Sequence, residues 1–123
     1  MSNAINWFEI PATDFSRAVG FYRTVLGQDI REGEFMGVPH GFFPAGEGGV
    51  AGAIVAPADA APSSAGPLIY LNAGPALDEI VARIAPAGGR VVQPRISIAP
   101  QGAMAIFIDS EGNRIALHEP AGA

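Results

Sequence analysis

The order of apolar and polar positions divides the chain into two similar series. Residues 5–10 (INWFEI) alternate and carry Trp, Phe and Ile, which predicts a strand. Pro11-Ala12-Thr13-Asp14 breaks that pattern and offers Thr13 or Asp14 as a helix cap. Phe15, Ala18, Val19, Tyr22, Val25 and Leu26 then recur at helical spacing, and Gly27 is placed to close the helix. Residues 28–35 and 38–44 predict two strands, the first polar enough for a sheet edge, and residues 50–55 predict a fourth. The pattern restarts at residues 67–73 (PLIYLNA). Gly74-Pro75 opens a second helix, with Pro75 in its first helical position and Leu77, Ile80, Val81 and Ile84 on its buried face. Gly88-Gly89 ends it. Residues 90–98, interrupted by Pro94, predict an edge strand, and residues 104–108 and 115–117 the last two.

The turns reinforce the repeat. Asp109-Ser110-Glu111-Gly112-Asn113 separates the final two strands as a hairpin turn, and Ala45-Gly46-Glu47-Gly48-Gly49 is a weaker copy. The two Glu-Gly pairs lie 64 positions apart, and the helix-closing Gly27 and Gly88 lie 61 apart. The order is therefore βαβββ twice, an α+β class, in one domain of residues 1–123. Residues 56–66 (APADAAPSSAG) read as the link between a module of residues 1–57 and a second of residues 65–120. A unit that covers only one face of its sheet with a helix must pack against its copy. The remaining faces are expected to enclose a cleft fit for a small molecule.

Composition narrows the class. Hydrophobic residues make up 49% and charged residues 15% of the 123 positions, which suits a folded domain and not a disordered chain. No apolar run reaches the ~18 residues of a membrane helix. The start of the chain lacks a basic region followed by an apolar block, so no secretory leader is expected. Absence of cysteine excludes disulfides, thiolate zinc sites and a cysteine nucleophile, and agrees with a cytoplasmic location. The net charge of −5 speaks against a nucleic-acid partner. It suits a cationic ligand, although a solvated acidic surface gives the same sum. The glycine clusters at 46–49 and 88–89 lack the residues of a phosphate loop.

Three stretches, WFEIPATDFSRAVGFYRTVLG, YLNAGPALDEIVARIAPAGGRV and FIDSEGNRIALHEP, resemble the vicinal oxygen chelate superfamily. That group includes glyoxalase I, bleomycin-resistance proteins and extradiol dioxygenases, and the chain is most similar to its small glyoxalase-like members. The resemblance implies two βαβββ modules forming a U-shaped open barrel with a central cleft, commonly in a homodimer. It also implies a divalent metal held by His, Glu or Gln on the first and last strand of each module. Carried onto this chain, those positions are Trp7, Gly52, Leu68 and Ala116, the last in GNRIAL where metal-binding relatives read GNxIEL. None ligates through its side chain, so no cofactor is expected at the standard site.

Alternation along strands places Glu9 on the face of Trp7, Tyr70 on that of Leu68, and His118 on that of Ala116. Trp7, Glu9, Tyr70, Ala116 and His118 are thus candidate ligand-binding residues. Glu9 and His118 are the candidate catalytic pair, as acid and base or as ligands of a displaced metal with His40 as a third. Plainer roles stand beside these. Glu9 suits a buried carboxylate answering an Arg or a backbone N–H, His118 a solvent or dimer contact, His40 a loop, and Trp7 the core. Tyr22 belongs to a helix's buried face and Glu111-Gly112-Asn113 to turn chemistry. The leading expectation is a metal-independent small-molecule-binding protein of the glyoxalase/bleomycin-resistance type. The alternatives are a lyase or isomerase using Glu9 and His118, and a module that binds a protein partner.

Overall fold

A computed structural model describes residues 3–57 and 60–123. The first run of elements is β1 (Trp7–Pro11), α1 (Phe15–Leu26), β2 (Arg31–Phe35), β3 (Val38–Phe42) and β4 (Ala51–Val55). The second is β5 (Ile69–Asn72), α2 (Leu77–Ile84), β6 (Arg90–Ser97), β7 (Gly102–Ile108) and β8 (Arg114–Pro120). Each run makes a four-stranded mixed sheet, ordered β1-β4-β3-β2 and β5-β8-β7-β6. First and last strands pair in parallel, and the remaining neighbours are antiparallel. The α+β class and the doubled βαβββ order are those expected, and β2 and β6 are sheet edges.

Local chemistry explains the boundaries, including those that differ from expectation. Asp14 caps α1 by accepting from the Arg17 amide at 3.0 Å, and Gly27 closes it at φ 65°. β2 starts at Arg31, not residue 28, because Ile30 is fully buried and its carbonyl accepts from Arg23 Nε at 3.1 Å. Pro75 does not occupy the first helical position of α2. A turn closed by the Ala76 amide on the Ala73 carbonyl (3.0 Å) delays the helix to Leu77, whose amide donates to Glu119 Oε1 at 3.3 Å. The linking stretch is tied down where the Ser63 amide donates to Asn113 Oδ1 at 3.1 Å; its Ala58 and Asp59 lie outside the described residues.

The two modules share one core. Val19 of α1 lies over Gly41 of β3, where an added Cβ would come within 2.9 Å of Val19 Cγ2. On the other flank of the helix, Phe21 packs on Phe107 of β7 with ring centroids 6.0 Å apart. Tyr22 reaches both sides, meeting Phe43 at 5.6 Å and Phe107 at 6.4 Å. A helix buried over Ala18, Val19, Phe21, Tyr22 and Val25 is covered over more than one narrow stripe. α1 thus packs against the inner faces of both sheets.

The turn at residues 109–113 fastens this junction. Buried Asp109 accepts from Tyr22 Oη at 2.6 Å, Glu111 N at 2.8 Å and Asn113 N at 2.9 Å. Asn113 Nδ2 donates to the Pro11 carbonyl at 2.8 Å. Glu111 accepts from the Thr13 and Asp14 amides at 2.9 and 2.7 Å, and from Arg17 Nε at 2.7 Å, at the N-terminus of α1. Burial by itself would raise the Glu111 carboxyl, but the bonds from Arg17, Asp14 and Ser110 outweigh it and hold it below its ordinary range. Tyr22 is pushed well above its ordinary value, chiefly by burial and then by the Asp109 carboxylate.

Candidate functional site

Strand alternation and register assemble the site on the face of the first sheet turned away from the shared core. β1 contributes Trp7 and Glu9 to this face, β3 contributes His40 and Phe42, and β2 contributes Gly33 and Phe35. Between β1 and β3, β4 contributes Ala51 and Ala53, with Glu9 opposite Ala53 and Ala53 opposite Phe42. Two alanines on the strand between them let the larger side chains lean together. The Trp7 and Phe42 rings stand 6.3 Å apart, His40 stacks on Phe42 at 5.5 Å and 28°, and Phe35 meets His40 edge-on at 5.8 Å. Together with Glu9 they line an open-sided cavity of about 310 Å³.

The polar groups here have fixed orientations. His40 is 6% exposed, and its Nδ1 lies 2.9 Å from the Val38 carbonyl. That carbonyl accepts only, so Nδ1 carries a hydrogen, and in the neutral form of the ring the lone pair is on Nε2. Nε2 faces Glu9 Oε2 at 3.8 Å, and Trp7 Nε1 donates to the same oxygen at 3.3 Å. Glu9 is half exposed, so its partners are an indole and an imidazole, not the arginine or backbone amide of the plainer reading. His40 lies in β3, not in a loop. Its meeting with Glu9 spans β4, and that cross-strand register leaves no mark in the local sequence. The one signal was its spacing two residues before Phe42, which puts both on one face.

Tyr70, Ala116 and His118 lie on the corresponding outer face of the second sheet. Tyr70 stands opposite Ala116, and His118 opposite Asn72 and Met104. Tyr70 is 51% exposed, whereas Ala116 is fully covered. His118 Nε2 lies 2.9 Å from the Gln101 carbonyl. Among the described residues, Glu9 and His118 form no hydrogen bond or ion pair with each other; the ring beside Glu9 belongs to His40.

Two of the positions carried over for metal ligands shift. Gly52 pairs with Phe8, and an added Cβ would strike the Phe8 ring at 2.5 Å, so it belongs to the inner face. The outer-face residues of β4 are Ala51 and Ala53. Leu68 precedes β5, which begins at Ile69. Trp7 keeps its place on the outer face of β1 and Ala116 its place on that of β8. Among the described residues, no group of three or more His, Asp or Glu side chains is assembled to hold a metal ion.

Other cavities lack the cluster of aromatic rings. One of about 500 Å³ is lined by Leu26, Gln28, the 44–50 loop and the start of α2, and no lining side chain is titratable. A crevice of about 260 Å³ runs between β1, the linking stretch and β8; Glu9 forms part of its wall too, with Arg114 and Asn113.

Comparison with known structures gives the fold a context. A glyoxalase/bleomycin resistance protein from Albidiferax ferrireducens T118 superposes with a TM-score of 0.75 at 18% identity, covering 95% of this chain and 98% of the other. A glyoxalase-related enzyme from Fulvimarina pelagi gives 0.68 at 15% identity, over 95% and 88% of the two chains. Glyoxalase I from Zea mays gives 0.72 at 15% identity, and the match spans 97% of this chain but 45% of that one. No curated protein matches by sequence. No helix among the described residues is long and apolar enough to cross a membrane. The sequence profile of one family matches residues 4–117, and on that ground the chain belongs to the Glyoxalase/Bleomycin resistance protein/Dioxygenase superfamily.

Proposed function

We propose that this chain is a small-molecule-binding protein whose guest sits on the outer face of the first sheet, and that two copies pair to close the site without a metal. The observation that carries the reading is the cavity of Trp7, Glu9, Phe35, His40 and Phe42, whose aromatic walls stand against solvent. Trp7 is 42% and Phe35 61% exposed although each meets a neighbouring ring, an unusual cost for large aromatic side chains. The outer face of the second sheet likewise leaves Tyr70 and Ile96 about half exposed. Seating the second module of one copy over the first module of another buries both sets and turns an open-sided pocket into a cleft. The lack of side-chain donors on β4 supports metal independence.

Trp7 is the only tryptophan, so its fluorescence reports on this pocket alone. A saturable change in that emission with a small organic guest, in protein sedimenting as a dimer, is the expected result. A monomer with no saturable response to a broad library overturns the reading.

A second reading rests on the aim of His40 Nε2 at Glu9. A carboxylate and an imidazole of fixed tautomer are the parts of an acid–base lyase or isomerase, with His118 of a second copy able to join them. Turnover of a bound guest that is abolished by Glu9→Gln would favour it over simple binding.

A further inference from the structure

We propose that the guest is an organic cation with a quaternary or tertiary ammonium head, enclosed by Trp7, Phe35 and Phe42 with Glu9 as its counter-ion; the proposal rests on this pocket being the binding site. Ring faces carry negative potential and attract a cation within about 6 Å of the ring centre. Here three carbon-rich aromatic side chains bound one small cavity, and among the described residues the carboxylate that lines it is Glu9. Among the described residues Glu9 has no basic partner except His40, at 3.8 Å. The chain has no lysine. Arg31, cross-strand from Phe42, is largely exposed and pairs at the surface with Asp29 at 3.5 Å. A carboxylate beside three rings, paired among the described residues with no base but His40, suits a positively charged guest, and Arg114, which shares the adjoining crevice with Glu9, lies outside the lining of this cavity.

The donor count then selects the kind of cation. A primary ammonium brings three N–H donors and requires acceptors for them. The cavity offers the Glu9 carboxylate, already accepting from Trp7, and His40 Nε2 beside it; the rest of its lining is carbon-rich ring surface with no acceptor for a further N–H. A trimethylammonium head needs no acceptor and is weakly hydrated, so it loses little on entering. At about 310 Å³ the cavity is at the small end for ligand sites, which fits such a head with a short substituent.

The test compares choline with its neutral isostere 3,3-dimethylbutan-1-ol, reading Trp7 emission. Choline should saturate the signal, and the alcohol should bind about tenfold or more weakly. Glu9→Gln should bring choline close to the alcohol. Phe42→Leu, which keeps apolar bulk and removes the ring face, should weaken choline several-fold and leave the alcohol unchanged. Circular dichroism checks that both variants keep the fold. If the alcohol binds as tightly as choline, or Glu9→Gln leaves choline affinity unchanged, the cation proposal fails while the pocket stands. If neither compound gives a saturable response up to about 100 mM, the pocket fails with it.

Discussion

Replacing Glu111 by Gln isolates the clamp that joins the two modules. The carboxylate side chain has no exposed surface and accepts from two α1 amides, from Arg17 Nε and from Ser110 Oγ. Gln keeps one acceptor oxygen for the amides but turns an N–H toward Arg17 Nε, which now sits 2.7 Å from Oε2. The variant loses a charge-assisted bond and the favourable charge at a helix N-terminus. Arg17 is 53% exposed, so solvent screens part of the attraction and the loss lies below that of a fully buried ion pair. The expected cost is about 2 kcal/mol, or roughly 8 °C in Tm for a chain of this length. The pH dependence gives a second signature. Because the fold holds the Glu111 carboxyl below its ordinary range, its stabilisation is complete above the unfolded value near pH ~4.3 and is lost as pH falls through the folded one. The gap between wild type and Glu111→Gln should therefore be constant from about pH 7 to 5 and shrink below about pH 4. Thermal melts at fixed protein concentration across that range measure both. A loss under about 2 °C, or a gap that does not narrow in acid, refutes the clamp.

Further outcomes follow from the same geometry. Ala53→Leu, at a fully covered position between Glu9 and Phe42, should cost about 1–2 kcal/mol by overpacking and abolish the Trp7 response to any guest; titrating the variant decides. Tyr22→Phe removes a 2.6 Å bond to buried Asp109 and should cost about 1.5–3 kcal/mol at neutral pH. The raised Tyr22 hydroxyl makes wild-type stability fall as pH rises past about 10, and melts of the variant should lack that fall. Tyr70→Ala, on the outer face of the second sheet, should weaken both self-association and guest binding without lowering monomer stability, as sedimentation and Trp7 titration would show. Elemental analysis of protein purified without chelators should find well under one divalent metal per chain. A full equivalent would make Glu9, His40 and a second copy's His118 the ligands to replace.

The fold was legible because each module announces its boundaries chemically. Asp14 and Gly27 cap α1 as their side-chain chemistry demands, and Gly112, at φ 99°, lies in the predicted hairpin turn. Register was not legible where alternation vanished. The strand Ala51–Val55 is AGAIV, entirely apolar, so nothing in it marks which residues face inward. The Phe8 ring decides, by filling the space a Gly52 side chain would need. Glu111 was readable only as a turn residue, because the amides it accepts from lie 97 and 98 positions earlier and the bonds are tertiary. His40 was obscured in the same way. Pro39 suggests a loop, yet β2–β3 is an antiparallel pair in which Pro39 stands opposite Glu34, and the pairing of β3 with β4 starts only at His40.

Register also shows how the two halves of the duplication have diverged. Glu9, Ala53 and Phe42 stand in one row across the first sheet, and Tyr70, Ala116 and Ile106 occupy the equivalent row of the second. The central alanine is fully covered in both, so the shape of the row has been kept. Its chemistry has not. The first module pairs a carboxylate with an aromatic ring, and the second pairs a phenol with an aliphatic side chain. A carboxylate in both rows would bring two like charges together if the two faces met across a dimer. One charged row and one neutral row avoid that repulsion and leave a single negative group per cleft. On the proposed reading that asymmetry suits one singly charged guest, with recognition in the first module and cover in the second.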